Sequence, residues 1–263
     1  MLTVPGARSR PAAGLLGAAS LAAPLLVTAR TGRAQAPVIR IGVLTDESGP
    51  YSDAPGIGSY VCGRQAADEF GIGHGFNIEV IHADHQTKPD IGPNIVRQWY
   101  DRDGVDMVLD VPTSSVALAI AGITKEKNKV FVASGTATAD LTGAQCSPNT
   151  VHWTYDTYML ACSIASQLVK LGGNKWFFIT ANYVFGHQLE RDAARFVQQA
   201  GGSVLGRDLY PFPGTTDFSS YLLKAQSSGA NVIGLAMSGS DAVNCIKQAH
   251  EFGLAPHMKS PRC

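Results

Sequence analysis

Charged residues are scarce in this sequence, which limits the partners it can have. Only 16% of the 263 residues are Asp, Glu, Lys or Arg, and the formal net charge is zero. No basic stripe is available to follow a phosphate backbone, which argues against nucleic acid as a partner. No apolar run beyond residue 36 approaches the roughly 18 residues that span a bilayer.

The sequence also lacks the common catalytic and metal-binding motifs. It has no Gly-Lys dipeptide of a phosphate-binding loop, no GxSxG nucleophile elbow and no HExxH helix. Its five cysteines have no CxxC spacing, so a zinc site is not expected and the disulfide state stays open. His82, Asp84 and His85 are close in sequence, but a solvated loop explains them better than a metal. We expect no enzymatic activity, no metal and no cofactor.

The first 36 residues have the layout of a secretory signal peptide. Arg8 and Arg10 precede an apolar run from Ala12 to Ala29, and Ala34–Ala36 (AQA) offers small residues for cleavage. This segment contains four Arg and no acidic residue, so its removal leaves 17 basic and 21 acidic residues, a net charge near −4. The sequence therefore predicts that the chain is exported.

Beyond the signal peptide, short apolar strands alternate with amphipathic helices, and the series runs twice. This order predicts an α/β fold with two doubly wound parallel sheets. We assign residues 37–155 to a first lobe and 156–263 to a second, with a cleft between them. Thr216 and Ser240 are predicted to cap two helices of the second lobe, and Gly253 to end the last one.

Small hydroxyl residues follow two neighbouring strands of the first lobe. Ligands of open parallel sheets bind beyond the carboxyl ends of the strands, where backbone N–H groups and helix N-termini attract anions. The pattern fits a carboxylate or polar amide site without Arg or Lys, although helix caps and turns explain it equally well. The candidates are Thr113, Ser114 and Ser115 in PTSS, and Ser134, Thr136 and Thr138 in SGTAT.

Aromatic residues follow the first strand of each lobe. Tyr51 lies in the loop after the first strand, where it can complete one wall of a pocket. Tyr183 and Phe185 follow the first strand of the second lobe, where they can pack on the apolar part of a ligand. Aromatic side chains are more often part of a core, so this alternative stays open.

Four segments, in order along the chain, carry a resemblance to a known family. They are IRIGVLTDESGPYSDAPG, SGTATADLTG, ANYVFGHQLERD and GTTDFSSYLLKAQSSGANVIGLA with DAVNCIKQAHEFGL. Together they resemble the periplasmic solute-binding proteins of ABC importers, of the branched-chain amino-acid (Leu/Ile/Val) type. The resemblance implies a type I periplasmic binding protein, whose two α/β lobes close on a small ligand and then dock on a membrane permease.

The resemblance also implies roles for individual residues. The two hydroxyl-rich loops would hold the carboxylate of the ligand, and Phe185, with Tyr183 nearby, would contact its body. Met237 or Ser238 would occupy the position after the third strand of the second lobe, and Asp156 could serve an ammonium group. The ligand stays open between an aromatic or other organic acid and a branched-chain amino acid, and related pockets bind amides and urea.

Members of the resembled family return from the second lobe to complete the first. We expect this returning segment to be missing here, because the chain stops at Leu254–Cys263. Two alternative functions remain: a ligand-sensing ectodomain and, less favoured, an α/β enzyme with a cleft site.

Overall fold

The computed structural model describes residues 37–71 and 74–254, and the predicted signal peptide at residues 1–36 lies outside them. Strands and helices alternate throughout this part of the chain. The strands are β1 (Val38–Thr45), β2 (Asn77–Asp84), β3 (Met107–Asp110), β4 (Val130–Ala133), β5 (Thr150–His152), β6 (Lys175–Ala181), β7 (Ser203–Tyr210) and β8 (Val232–Ala236). The helices are α1 (Gly56–Gly71), α2 (Ile91–Asp101), α3 (Ser114–Glu126), α4 (Thr157–Lys170), α5 (Val184–Gln199), α6 (Ser219–Ser227) and α7 (Gly239–Glu251), with a short 3-10 turn at Ala139–Leu141.

The strands form two separate parallel sheets. The first has five strands in the order β2-β1-β3-β4-β5, and the second has three in the order β7-β6-β8. We call the first sheet with its helices the first lobe, and the second sheet with α4 to α7 the second lobe. The predicted α/β fold with parallel sheets is confirmed. The lobe boundary at residues 155 and 156 stays a prediction.

Burial explains why the strands form where they do. The β6 sequence KWFFITA is buried from Trp176 to Ala181, as expected of a central parallel strand that is covered on both faces. In the first lobe, Leu44, Val108 and Phe131 pack in one apolar cluster with α2 and α3. None of the helices in the described ranges is long and apolar enough to cross a membrane.

Two predicted helix caps are wrong. Helix α6 begins at Ser219, and the Asp217 carboxylate, rather than the Thr216 hydroxyl, accepts the N–H of Ser219 at 2.9 Å. Helix α7 begins at Gly239, so Ser240 lies inside its first turn and not at the cap. The predicted end of α7 is confirmed, because Gly253 follows the helix with a φ of +69°.

Candidate functional site

A cleft of about 250 Å³ lies where the two lobes meet. In the first lobe its walls come from the loops that follow β1, β3 and β4. The other walls come from the crossover between the two sheets and, in the second lobe, from the starts of α5 and α7. No residue of this described lining carries a charge. The lining consists of Tyr51, Ala54, Pro55, Pro112, Ser134, Gly135, Ala137, Thr154, Tyr155, Phe185 and Ser238.

The loop after β4 supplies polar groups to this cleft. The backbone N–H groups of Gly135 and Ala137 donate to no acceptor within the described residues. The Ser134 hydroxyl is half-buried and lies 3.4 Å from Oδ1 of Asp110, a weak hydrogen bond. A Cβ at position 135 would lie 2.3 Å from the same Asp110 oxygen, so any larger residue there would displace the Asp110 carboxyl. The missing side chain brings the loop backbone to the cleft wall.

The other hydroxyls of the two predicted loops lie behind the cleft wall. Thr113 is buried and donates to the Thr87 hydroxyl at 3.4 Å, whereas Ser115 is half-buried at the start of α3. The hydroxyls of Ser114 and Thr136 are buried and have no partner among the described residues. Buried polar atoms are seldom left unpaired, which makes these two hydroxyls candidates for holding a polar ligand. That role stays a prediction.

Thr138 contacts the second lobe instead of lining the cleft. Its hydroxyl donates to Oε1 of Gln188 on α5 at 2.7 Å. The amide of Gln188 in turn donates to Oδ2 of Asp140 at 2.7 Å. The bond between Thr138 and Gln188 is buried and the one to Asp140 is partly buried, and both join the two lobes. The predicted contact of Thr138 with a ligand carboxylate stays a prediction, and no pattern in the sequence pointed to its partner Gln188.

Two tyrosines join the lobes on the other side of the cleft. The hydroxyls of Tyr51 and Tyr183 are in hydrogen-bond contact across the boundary. The Tyr183 ring stacks on Phe212, with centroids 4.1 Å apart. Burial raises the pKa of both hydroxyls well above the ordinary value for tyrosine, so both are neutral at physiological pH. Phe185 lies in the cleft wall and is buried, and its predicted contact with the apolar part of a ligand stays a prediction.

Asp156 has a structural partner. It precedes α4, and its Oδ1 accepts the backbone N–H of Met159 at 2.7 Å, a helix cap. It does not belong to the cleft lining, so its predicted contact with an ammonium group gains no support.

Two buried acids close to the cleft were missed by the sequence reasoning. Asp110 ends β3, and Asp241 lies in the first turn of α7, where it accepts the Tyr210 hydroxyl at 2.9 Å. Burial raises the pKa of both carboxyls. Neither acid had a signal in the sequence, because Asp110 ends a strand pattern and Asp241 fits the polar start of a helix.

A second, larger cavity of about 350 Å³ adjoins the cleft and shares Tyr155, Phe185 and Ser238 with it. Among the described residues, β8 pairs with β6 along one edge only. The cavity runs along the other edge of β8, between α4 and α7. Its other lining residues are almost all apolar. Because the loop after β4 contributes no group here, we regard the smaller cleft as the candidate site.

Comparison with known proteins identifies a family and several structural relatives. The family model described as periplasmic binding protein matches residues 38–260. A periplasmic binding protein from Burkholderia mallei is 45% identical, with a TM-score of 0.81 over 84% of this chain. The periplasmic ligand-binding protein of a branched-chain amino-acid ABC transporter from Burkholderia xenovorans is 35% identical, with a TM-score of 0.67 over the same share.

A third structure extends the likeness of fold. An ABC-transporter solute-binding protein from R. palustris, in complex with 4-hydroxybenzoate, is 22% identical and has a TM-score of 0.76 over 84% of this chain. The chain spans 59% of the length of each of the two Burkholderia proteins and 60% of the R. palustris protein.

Proposed function

The chain belongs to the periplasmic binding protein family, and from that premise we propose that it binds a small carboxylate between its two lobes. We further propose that it is exported to the periplasm and presents this ligand to the membrane permease of an ABC importer. The observation that carries the proposal is the uncharged cleft, with a backbone-rich loop on one side and aromatic rings on the other.

The loop after β4 supports a carboxylate as the polar end of the ligand. Its N–H groups at Gly135 and Ala137 have no acceptor among the described residues, and the Ser134 hydroxyl lies beside them. Clustered backbone N–H groups bind anions without a positively charged side chain.

The opposite walls support an apolar or aromatic body. Tyr51, Tyr155 and Phe185 contribute rings to the lining. The volume of about 250 Å³ lies below the roughly 300–1,000 Å³ of pockets for drug-sized ligands, which favours a ligand with one ring or one amino acid. The R. palustris relative, with 4-hydroxybenzoate bound, offers a precedent for the first class.

An amino acid is the second candidate, and the branched-chain name of the B. xenovorans relative favours it. An amino acid also brings an ammonium group, which proteins usually meet with a carboxylate. The described lining of the cleft contains no acidic residue, and Asp156 caps α4. We therefore place an aromatic or other apolar carboxylic acid first.

Closure of the lobes would complete the site. The residues around Tyr155 connect the sheets and also line the cleft, which suits a hinge that responds to the ligand. The lobes are joined on two sides of the cleft, by Thr138 with Gln188 and by Tyr51 with Tyr183. A ligand that contacts both lobes favours the arrangement in which these contacts form.

The proposal is tested by calorimetric titration of the purified chain with benzoate, 4-hydroxybenzoate, L-leucine and acetamide. We expect saturable binding of an aromatic acid at one site per chain, with the ligand recovered chemically unchanged. Ala54→Trp, at an exposed position in the cleft wall, should abolish binding. Ala144→Trp, at an exposed position outside the cleft lining, should preserve it. Equal binding by both variants would place the ligand elsewhere.

A further inference from the structure

A buried carboxyl group lies directly beneath the loop that we assign to the carboxylate of the ligand. Asp110 is 1% exposed. Its Oδ1 lies 3.4 Å from the Ser134 hydroxyl and occupies the space next to Gly135 that a Cβ would need. Both Ser134 and Gly135 line the cleft, so one layer of backbone separates Asp110 from a bound ligand.

The backbone takes up an unfavourable conformation where it places the Asp110 carboxyl. Asp110 has a φ of +84° and Val111 a φ of +62°, in the left-handed region that residues with a Cβ rarely occupy. Strained residues of this kind concentrate at binding sites and persist only where the surrounding structure enforces them. The strain coincides with the end of β3, next to Pro112 in the cleft wall.

The surroundings of Asp110 do not neutralise a negative charge. The groups that act on its carboxyl are the hydroxyls of Thr45 on β1, Ser59 on α1 and Ser134 after β4, and no charged side chain of the described residues is among them. Its Oδ2 has no hydrogen-bond partner in the described part of the chain. Burial raises the pKa of this carboxyl, and the three hydroxyls oppose the shift in part.

An ionised Asp110 and an anionic ligand in the loop above it would repel each other. A proton on Asp110 removes this repulsion. The neutral carboxyl can also donate its O–H to the Ser134 oxygen, which leaves the Ser134 hydroxyl hydrogen available to the ligand carboxylate.

We propose that Asp110 is a positioning and proton-binding residue of the cleft, which takes up one proton from solvent when an anionic ligand binds. The proton balance is simple: ionised Asp110, one solvent proton and the free anion become neutral Asp110 with the anion bound. The inference rests on the proposed function, since it requires an anion in the cleft.

The sign of the pH dependence follows. The bound anion raises the pKa of Asp110 above its value in the free protein. Affinity is therefore greatest below the free-protein pKa and falls as pH rises through the pKa of the complex, by at most tenfold per pH unit. Asp110→Asn keeps the shape of the side chain and removes its titration.

Proton uptake is measured by titrating the protein with benzoate at one pH in buffers of different ionisation enthalpy. The wild type should take up a measurable fraction of one proton, and Asp110→Asn should take up none. Asp106→Asn is the matched control: it lies just before the other end of β3, where its carboxylate accepts the Arg40 N–H at 3.0 Å and the Lys129 ammonium at 3.2 Å. It should retain the wild-type uptake. Zero uptake by the wild type, or undiminished uptake by Asp110→Asn, would overturn the proposal.

A measurement without ligand separates this inference from the proposed function. Because burial raises the pKa of Asp110, Asp110→Asn should melt at a higher temperature than the wild type at pH 8, and this gain should disappear by pH 4. A difference in melting temperature that does not change with pH would overturn the role of Asp110 even if benzoate binds. The expected melting behaviour with no binding of benzoate would reject the ligand class and leave Asp110 as the titrating group.

Discussion

Replacing Gln188 by alanine should weaken ligand binding by disconnecting the lobes. Gln188 accepts the Thr138 hydroxyl and donates to the Asp140 carboxylate, both at 2.7 Å. A hydrogen bond between neutral groups contributes about 0.5–1.5 kcal/mol and one to a charged group about 1.5–3 kcal/mol, so the pair contributes roughly 2–4.5 kcal/mol. At about 1.4 kcal/mol for each factor of ten, the equilibrium between joined and separated lobes shifts by roughly 30-fold to 1,000-fold or more.

The loss appears in full in the affinity if the free protein is mainly open, because the ligand must then supply the missing closure energy. Calorimetric titration with the aromatic acid that binds the wild type measures this loss. Gln198→Ala is the matched control, since Gln198 is exposed on the same helix. It should bind like the wild type.

A charge swap distinguishes this contact from general destabilisation. Gln188→Glu alone places a second carboxylate beside Asp140 and should bind more weakly than the wild type. Adding Asp140→Asn restores a donor opposite Glu at position 188, while Thr138 still donates to that side chain. The double variant should recover affinity to within about threefold of the wild type, since the coupling between contacting residues is restored. Wild-type affinity in Gln188→Ala, or no recovery in the double variant, would refute the reasoning.

Three further predictions concern His85, Gly135 and Tyr183. His85 is buried, and its Nδ1 accepts the Thr87 N–H at 2.9 Å. Because burial lowers the pKa of His85 to about 4, the free energy of unfolding should fall by up to about 3 kcal/mol as pH drops from about 6.5 towards 4. A flat stability profile in this range would contradict the prediction. Gly135→Ala should lower the melting temperature and weaken binding, because the new Cβ meets Asp110 Oδ1 at 2.3 Å. Gly58→Ala on α1, where nothing lies within 4 Å, is the control and should melt no lower than the wild type, since alanine is favoured over glycine in a helix. Tyr183→Phe removes the hydroxyl contact with Tyr51 but keeps the ring stacked on Phe212. It should weaken the contact between the lobes by about 1 kcal/mol and lower the ligand affinity by up to about tenfold. Unchanged affinity would show that the contact does not support closure.

Local sequence patterns predicted most of the fold. The alternation of apolar strands with amphipathic helices predicted the α/β fold, because runs such as KWFFITA in β6 respond to burial within a few residues. Strand β5 has only three residues, which are too few to show a period in the sequence. The caps of α6 and α7 were misplaced because several polar residues precede each helix, and tertiary contacts select among them. At α7 this tertiary contact is with Pro50: its carbonyl would lie 2.3 Å from a Cβ at position 239, so the helix begins at a glycine.

The site was predictable at the level of loops but not of contacts. The hydroxyl-rich loop after β4 lies at the cleft, and Ser134 lines it. The partner of Thr138 lies 50 residues away on another helix, and no local pattern connects the two. Asp110 shows the same limit, because its burial depends on how the loop after β4 packs over the end of β3.

The central claim is that a ligand carboxylate binds the backbone N–H groups after β4. The most direct measurement is an NMR titration of this chain with benzoate that follows the amide signals of Gly135 and Ala137. We predict downfield shifts of both signals that saturate at one benzoate per chain, with no shift at Gly201, which lies outside the cleft. Unmoved signals at Gly135 and Ala137, with shifts confined to Ile233–Leu235 in the larger apolar cavity, would contradict it.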